Sequence, residues 1–232
     1  MYSMPIKIPT NPEIAATLLC YGVRATPKLC DQVRSYINLL LRWNKKISLT
    51  TVTDPSEIIR FHFGESLFAA KSIPVPYSRL ADVGSGAGFP GLALKLILQN
   101  IEIVLIDSNA KKAAFLSEVT RELGLKGVDV FRGRMEDYDV GSKPLGFITA
   151  RAVGQHEKFL EWALKKLEDD GMVALWVGED DARAISRLAS WNWHEPLKIP
   201  DSQRRFILFG SPLNDLDEVF HVEQSTLKNC FT

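Results

Sequence analysis

Cysteine is scarce in this chain, with 3 in 232 residues (Cys20, Cys30 and Cys230) and no Cys-x-x-Cys spacing. With only 4 scattered histidines, that leaves no zinc-ligand pattern, and an odd thiol count gives no complete disulfide framework. Idle or buried thiols in a reducing cytosol are the reading. An excess of one charge is also lacking, since 28 basic residues balance 28 acidic ones. No global field therefore draws the protein to nucleic acid, although a local basic patch can act at zero net charge. No apolar run approaches the ~20 residues needed to span a bilayer. The start, Met1 to Asn11, is polar and broken by proline where a signal peptide needs an apolar core. Cytoplasmic localisation is the expectation. Repeats and low-complexity tracts are absent too. What remains is an ordinary globular composition, 46% hydrophobic and 24% charged, in a chain long enough for one large α/β domain or a domain with an appendage.

Two textures divide the chain. To about Ile73 it reads as helical. Thr26 is an N-cap candidate with Pro27 at the first helical position. Leu29, Val33, Tyr36, Ile37, Leu40 and Trp43 then recur as a helical stripe, with Arg34, Arg42, Lys45 and Lys46 on the other face. Asp54-Pro55-Ser56-Glu57 resembles a capping box and opens a helix through roughly Lys71, which puts Ile58, His62, Glu65 and Ala69 on one face. Ser72-Ile73-Pro74-Val75-Pro76 reads as a linker. Beyond it, apolar runs at 79–83, 101–106, 128–131, 146–150 and 172–177 read as buried strands, with helical segments at 110–123 and 156–167. Such alternation means βαβ units and a mainly parallel sheet with helices on both faces. Segments 193–199 and 205–209 predict a terminal hairpin with one antiparallel strand, which suits a seven-stranded Rossmann-like class I methyltransferase sheet better than the dinucleotide fold. The expected division is a helical extension at 1–76 packed on the core, a cofactor-binding core at 77–212 and a tail at 213–232.

The strongest chemical feature is Asp82-Val83-Gly84-Ser85-Gly86-Ala87-Gly88-Phe89-Pro90-Gly91 at a strand-to-helix turn. Closely spaced glycines let the backbone turn tightly and let a ligand approach where no Cβ intervenes. A dinucleotide fingerprint places its third glycine where Phe89 stands, so the tighter spacing suits a ligand without pyrophosphate, S-adenosylmethionine. Asp82 either faces the amino group of that cofactor or braces the turn. Asp107 closes the second strand, placed to accept from ribose hydroxyls, to cap the next helix, or both. At the third strand's exit Met135 offers apolar contact and Glu136 polar contact to an adenine. Arg151 emerges from the fourth strand at the carboxyl edge and could orient either the acceptor base or the cofactor's carboxylate.

The acceptor is narrowed by absences. No Asn/Asp-Pro-Pro-aromatic motif follows the fourth strand, and no cysteine is placed as the nucleophile a cytosine-C5 enzyme needs. Guanine N7 fits, because its lone pair lies in the ring plane of the neutral base and asks chiefly for alignment. His62 is either a packed, hydrogen-bonded histidine at the junction or a group at the site's mouth. Arg34, Arg42, Lys45, Lys46, Lys111, Lys112, Arg132, Arg134, Arg204 and Arg205 are solvated surface individually. Those that share the sheet's carboxyl edge would form a phosphate footprint.

With these residues assembled, the chain resembles the RsmG (GidB) family, bacterial 16S ribosomal RNA guanine-N7 methyltransferases, from about Val33 to Val177. The anchors are Trp43-Asn44-Lys45-Lys46-Ile47-Ser48-Leu49-Thr50, the Arg60/His62/Ser66 segment, the glycine turn with its Gly88-Phe89-Pro90-Gly91 ending, Asp107-Ser108, Arg134-Met135-Glu136 and Arg151-Ala152. The resemblance implies methyl transfer to N7 of a guanine in the 530 loop of 16S rRNA, with the small ribosomal subunit as partner; no metal, no membrane and a monomer are the further expectations. Cofactor contacts carried over fall on Gly84, Phe89, Met135, Glu136 and Arg151, while Gly86, Gly88 and Asp107 follow from the fold argument as well. Arg151 is the catalytic candidate. Two departures stand out. The family's His-x-x-Asp-Ser is His62-Phe63-Gly64-Glu65-Ser66 here, and its Lys-Gly after the fifth strand is Val177-Gly178. They keep open a non-catalytic RNA-binding or ribosome-assembly factor of this fold; the other alternative is a methyltransferase of another acceptor.

Overall fold

The computed structural model describes residues 7–73, 79–141, 143–152 and 154–213. Residues 74–76 of the linker, and the tail from 214 on with Cys230, lie outside them. Five parallel strands form the centre of the sheet: β1 (Arg79–Val83), β2 (Glu102–Ile106), β3 (Val128–Phe131), β4 (Leu145–Arg151) and β5 (Leu167–Gly178). The terminal strands are β6 (Trp191–Trp193), β7 (Leu197–Lys198) and β8 (Arg205–Pro212). The order is β3-β2-β1-β4-β5-β8-β6, with β7 also pairing β8. β8 runs antiparallel to β5, β6 and β7. The expected seven strands are thus present along the sheet, with β7 as an eighth. The single strand expected at 193–199 is split around Pro196, which has no N–H to donate to a ladder.

Both faces of this sheet are covered, which is why its strands read as unbroken apolar runs. Leu80, Ile103, Leu105 and Phe147 point into one cluster and their neighbours Ala81, Val104, Ile106 and Ile148 into another. The second cluster is closed by α7 (His156–Leu164) and α8 (Glu179–Ile185) through Phe159, Trp162, Ala182 and Ile185. The first holds α5 (Gly91–Ile97), α6 (Ala110–Glu122) and the N-terminal helices α1 (Asn11–Leu19) and α2 (Pro27–Asn44). Thr26 caps α2 by accepting from the Leu29 N–H at 3.2 Å. The predicted stripe is its buried side, Leu29, Val33, Tyr36, Ile37 and Leu40, with Trp43 packed alongside.

The predicted helix after Asp54 forms in four pieces. Asp54 caps α3 (Pro55–Ile58) through the Glu57 N–H at 2.9 Å, a π-helical segment runs Ile59–Gly64, α4 covers Glu65–Phe68, and a 3-10 turn ends it at Ala69–Ser72. The π segment is the departure from the sequence reading. Gly64, a weak helix former, lies where the Tyr21 ring packs: a Cβ there would sit 2.5 Å from the ring. The missing side chain that weakens this helix is what lets α1's following turn dock on it. Short π segments inside helices recur at functional sites, and this one carries His62 and leads straight into Glu65.

Candidate functional site

Parallel register brings the carboxyl ends of β1, β2, β3 and β4 to one edge. Val83 pairs with Ile106 and Ala150, and Ile106 with Phe131. Gly84, Asp107, Arg132 and Arg151 therefore emerge side by side. The glycine turn is tied to this edge by backbone bonds from Gly84 N–H and Ser85 N–H to the Ile106 carbonyl, at 2.8 and 3.1 Å.

The four glycines of the turn do two different jobs. Gly84, Gly86 and Gly88 all have positive φ (70°, 57° and 84°), where a side chain is strained. Around Gly84, however, a Cβ would meet nothing within 4 Å, and at Gly86 only the Gly84 carbonyl oxygen at 3.7 Å. A Cβ on Gly88 would strike Tyr36 Oη at 2.0 Å, and one on Gly91 would strike the Asp82 side chain at 2.6 Å. Gly84 and Gly86 thus front open space, and Gly88 and Gly91 admit protein. Backbone bare of Cβ beside open space is what a closely approaching ligand requires.

Asp82 braces the turn. It is fully buried, accepting from Thr149 Oγ1 at 2.8 Å and from the Gly91 N–H at 3.2 Å, while Ser85 Oγ donates to its carbonyl at 2.8 Å. Burial pushes its carboxyl up to about 7, against those hydrogen bonds. That position and those partners leave it no contact with a ligand in the open space. Asp107 does more than cap. One carboxylate oxygen accepts from Gly86 N–H and the other from Asn109 N–H, each at 2.8 Å, while Asn109 itself caps α6. A carboxylate offers about four lone-pair sites, so Asp107 keeps acceptor capacity beside Gly86.

An aromatic stack supports the turn from the helical side. Tyr36 Oη donates to the Ala87 carbonyl at 2.7 Å, and Phe89 lies between the Tyr36 ring at 5.3 Å and the His62 ring at 4.9 Å. Phe89 is 7% exposed, so its ring braces the turn and does not line the opening. His62 shares a 2.8 Å hydrogen bond with Thr50 Oγ1, and its Nδ1 is buried without a partner. Burial, helped by the Arg151 guanidinium, lowers its pKa to about 4, so it is a neutral, packed ring at neutral pH.

Arg151 is held by the helical segment at 59–68. Its guanidinium donates to Glu65 Oε2 at 2.8 Å and to the Phe61 carbonyl at 3.0 Å. Arg205 reaches the other oxygen of Glu65 at 2.6 Å, and Trp176 Nε1 donates to the Glu65 carbonyl at 3.0 Å. Glu65, 1% exposed, therefore sits between two guanidiniums. Burial raises its carboxyl above the ordinary range and the two arginines oppose that shift. These groups, with Val177 and Ile199, border a cavity of about 470 Å³. On the far side of β1, Met135 and Glu136 occupy a 3-10 turn after β3; Met135 packs on the second core cluster and Glu136 meets Lys158 at 2.5 Å.

Sequence reasoning missed Tyr36 and Thr149 as parts of this edge. Tyr36 carried a signal, a hydroxyl within a buried stripe, since buried tyrosine hydroxyls find a partner. Thr149 reaches the site through the β1–β4 pairing, which is distant in sequence. Among the described residues no cluster could hold a metal ion, and no helix is long and apolar enough to cross a membrane.

Residues 29–203 match the GidB family, described as rRNA small subunit methyltransferase G. The ribosomal RNA small subunit methyltransferase G of Lactococcus lactis subsp. cremoris (strain MG1363) is 34% identical over 172 residues, 70% of each chain. The protein of the same name from Desulfitobacterium hafniense (strain Y51) is 42% identical over 147 residues, 61% of each chain. Among solved structures, a SAM dependent methyltransferase from Aquifex aeolicus superposes with a TM-score of 0.54 at 19% identity, covering 64% of this chain and 90% of that one. At that identity the likeness concerns the fold.

Proposed function

The chain belongs to the GidB family of rRNA small subunit methyltransferases, and from that premise we propose that it methylates N7 of a guanine in the 530 loop of 16S rRNA, using S-adenosylmethionine. The observation that carries the cofactor half is the division among the glycines, with Gly84 and Gly86 bare toward open space beside Asp107. The acceptor half rests on the family and on guanine N7 needing no proton removed before it attacks.

S-adenosylmethionine supplies an electrophilic methyl group when bound. Gly84, Gly86 and Gly88 shape the turn that admits it, Phe89 holds that turn against the helices, and Asp107 accepts from ribose hydroxyls with its remaining lone pairs. Met135 and Glu136 would flank the adenine. Arg151 is the catalytic candidate: of its five N–H donors the Glu65 and Phe61 contacts occupy two. The others orient the guanine, or the cofactor's carboxylate, at the mouth of the 470 Å³ cavity. Catalysis of this kind is mostly positioning, since the nucleophile is a neutral ring nitrogen. The core at 77–212 binds the cofactor, and the extension at 1–76 contributes Tyr36, His62 and Glu65 to the walls of the site. Within the tail at 213–232, residues 214–232 lie outside the described structure.

The test is to incubate the protein with methyl-labelled S-adenosylmethionine and small ribosomal subunits from a strain lacking the modification, then digest and map the label. Label in 7-methylguanosine within the 530 loop is expected. Cofactor binding with label elsewhere would assign a different acceptor, and failure to bind the cofactor would sink the enzyme reading.

A further inference from the structure

A groove of about 510 Å³ runs between α2 and α6, bordered by Arg42, Trp43, Lys46, Ile47, Lys111 and Glu118. One wall begins at Lys111, four residues beyond Asp107, so the groove starts at the same sheet edge as the glycine turn. It is pre-formed. Glu118 on α6 holds Arg42 at 2.7 Å and accepts from Trp43 Nε1 at 3.1 Å, both on α2, and the Trp43 ring packs edge-on to Phe115 at 5.7 Å.

The segment after α2 is rigid as well. Asn44 Oδ1 accepts from the Leu49 and Thr50 N–H groups at 2.8 and 3.1 Å, and its Nδ2 donates to the Thr50 carbonyl at 2.8 Å. Thr50 in turn contacts His62, whose ring stacks on Phe89 of the glycine turn. The loop bearing Lys45 and Lys46 is thereby fastened to the site itself.

Charge separates this side from the opposite one. Lys45, Lys46 and Lys111 are exposed and have no acidic partner among the described residues, while the single carboxylate in the groove, Glu118, is already engaged by Arg42 and Trp43. Around α8 cations and carboxylates are interleaved: Arg183 meets Glu179, Arg204 meets Asp180, and Arg151 and Arg205 share Glu65, with Asp181 alongside and Arg187 outside these pairs. A polyanion leaving the site is attracted more strongly along the α2/α6 side, where three ammonium groups lack an acidic partner, than along α8, where acidic groups are interleaved with the cations. An apolar floor of Trp43 and Ile47 between unpaired ammonium groups suits a nucleotide, with the base on the floor and the phosphates against the lysines.

We infer that this groove binds single-stranded rRNA flanking the methylated nucleotide, through phosphate contacts from Lys46 and Lys111. The inference rests on the rRNA reading above, so its test reads RNA binding directly and not through methylation. Binding of the full chain to a 16S rRNA transcript containing the 530 loop is measured across a salt series for wild type, K46Q/K111Q and R183Q/R187Q. Each lost single-strand phosphate contact lowers the slope of log affinity against log salt by about 0.7. K46Q/K111Q is expected to lower it by about 1.4 and to weaken binding roughly tenfold at moderate salt, with S-adenosylmethionine affinity unchanged. R183Q/R187Q removes the same charge on the α8 side and should leave the slope alone. An unmoved slope in K46Q/K111Q, an equal fall in both variants, or no RNA binding by wild type overturns the proposal. If wild type fails to methylate yet K46Q/K111Q lowers the slope, the guanine reading falls and the groove stands. Normal methylation with an unmoved slope shows the reverse.

Discussion

Replacing Gly84 and Gly91 by alanine, one at a time, separates ligand space from packing space within a single turn. At Gly84 the added methyl meets no atom within 4 Å, so the folding cost is the left-handed backbone alone, about 1–2 kcal/mol at φ 70°. For a chain of this size each kcal/mol moves the melting temperature by roughly 2–4 °C, so a fall of about 2–8 °C is expected. The methyl occupies the space through which a ligand would approach, and S-adenosylmethionine affinity should drop on the order of 100-fold, about 2.7 kcal/mol. At Gly91 the methyl would stand 2.6 Å from Asp82 Cβ and 2.7 Å from its Oδ2, against a side chain with no exposed surface. Overpacking of that kind costs about 1–3 kcal/mol, and displacing Oδ2 from the Gly91 N–H adds about 1 kcal/mol more. Gly91→Ala should therefore melt lower than Gly84→Ala while the folded fraction keeps most of its affinity. Calorimetric melting with isothermal titration below both transitions reads the two quantities separately. Wild-type affinity in Gly84→Ala would remove that face of the turn from the cofactor site, and wild-type stability in Gly91→Ala would refute the packing argument.

Three further outcomes follow from the same geometry. Tyr36→Phe leaves the buried Ala87 carbonyl without the hydroxyl that now satisfies it, and should cost about 1–3 kcal/mol in urea unfolding with a loss of cofactor affinity; unchanged values for both would show that the hydrogen bond contributes nothing. Glu65→Ala leaves two guanidiniums facing each other and should destabilise by about 3 kcal/mol, with Glu65→Gln milder, read from urea midpoints at fixed m. His62 takes up a proton near pH 6.5 in the unfolded chain but only near 4 in the folded one, so between those values the folded state binds fewer protons and stability falls as pH drops. Asp82, raised to about 7, has the opposite slope between about 4 and 7. It cancels when wild type is compared with His62→Gln: the wild type's stability relative to the variant should decline from pH 7 to pH 5, and a difference independent of pH would refute the buried, neutral assignment.

The local features were legible because they are local. Strand segments buried on both faces must be continuously apolar, and the boundaries of β1 and β3 fall where the runs 79–83 and 128–131 end. Thr26 and Pro27 set the start of α2 by their own backbone chemistry. The glycine spacing specified a tight turn wherever it stood. Segment 193–199 read as one strand because its apolar residues outweighed Pro196, yet the ladder follows donors and acceptors, and the proline divides it. The π segment left no trace in periodicity, and the contact at its Gly64 end, the Tyr21 ring from the turn after α1, is distant in sequence.

The candidate site divides in the same way. From sequence alone come the glycine turn, the carboxylate at Asp107 and the arginine at Arg151, each at the end of a strand, because a parallel sheet sends consecutive strand ends to one edge. Only the tertiary structure decides which glycines face a ligand and which face Tyr36 and Asp82, for that depends on what a distant segment places against them. It likewise decides that Glu65 lies between Arg151 and Arg205, and that the unpaired lysines gather beside α2 and α6 while most cations near α8 meet a carboxylate. A residue's spacing reports its own backbone. The partner that gives its side chain a function is chosen by the packing of the whole chain.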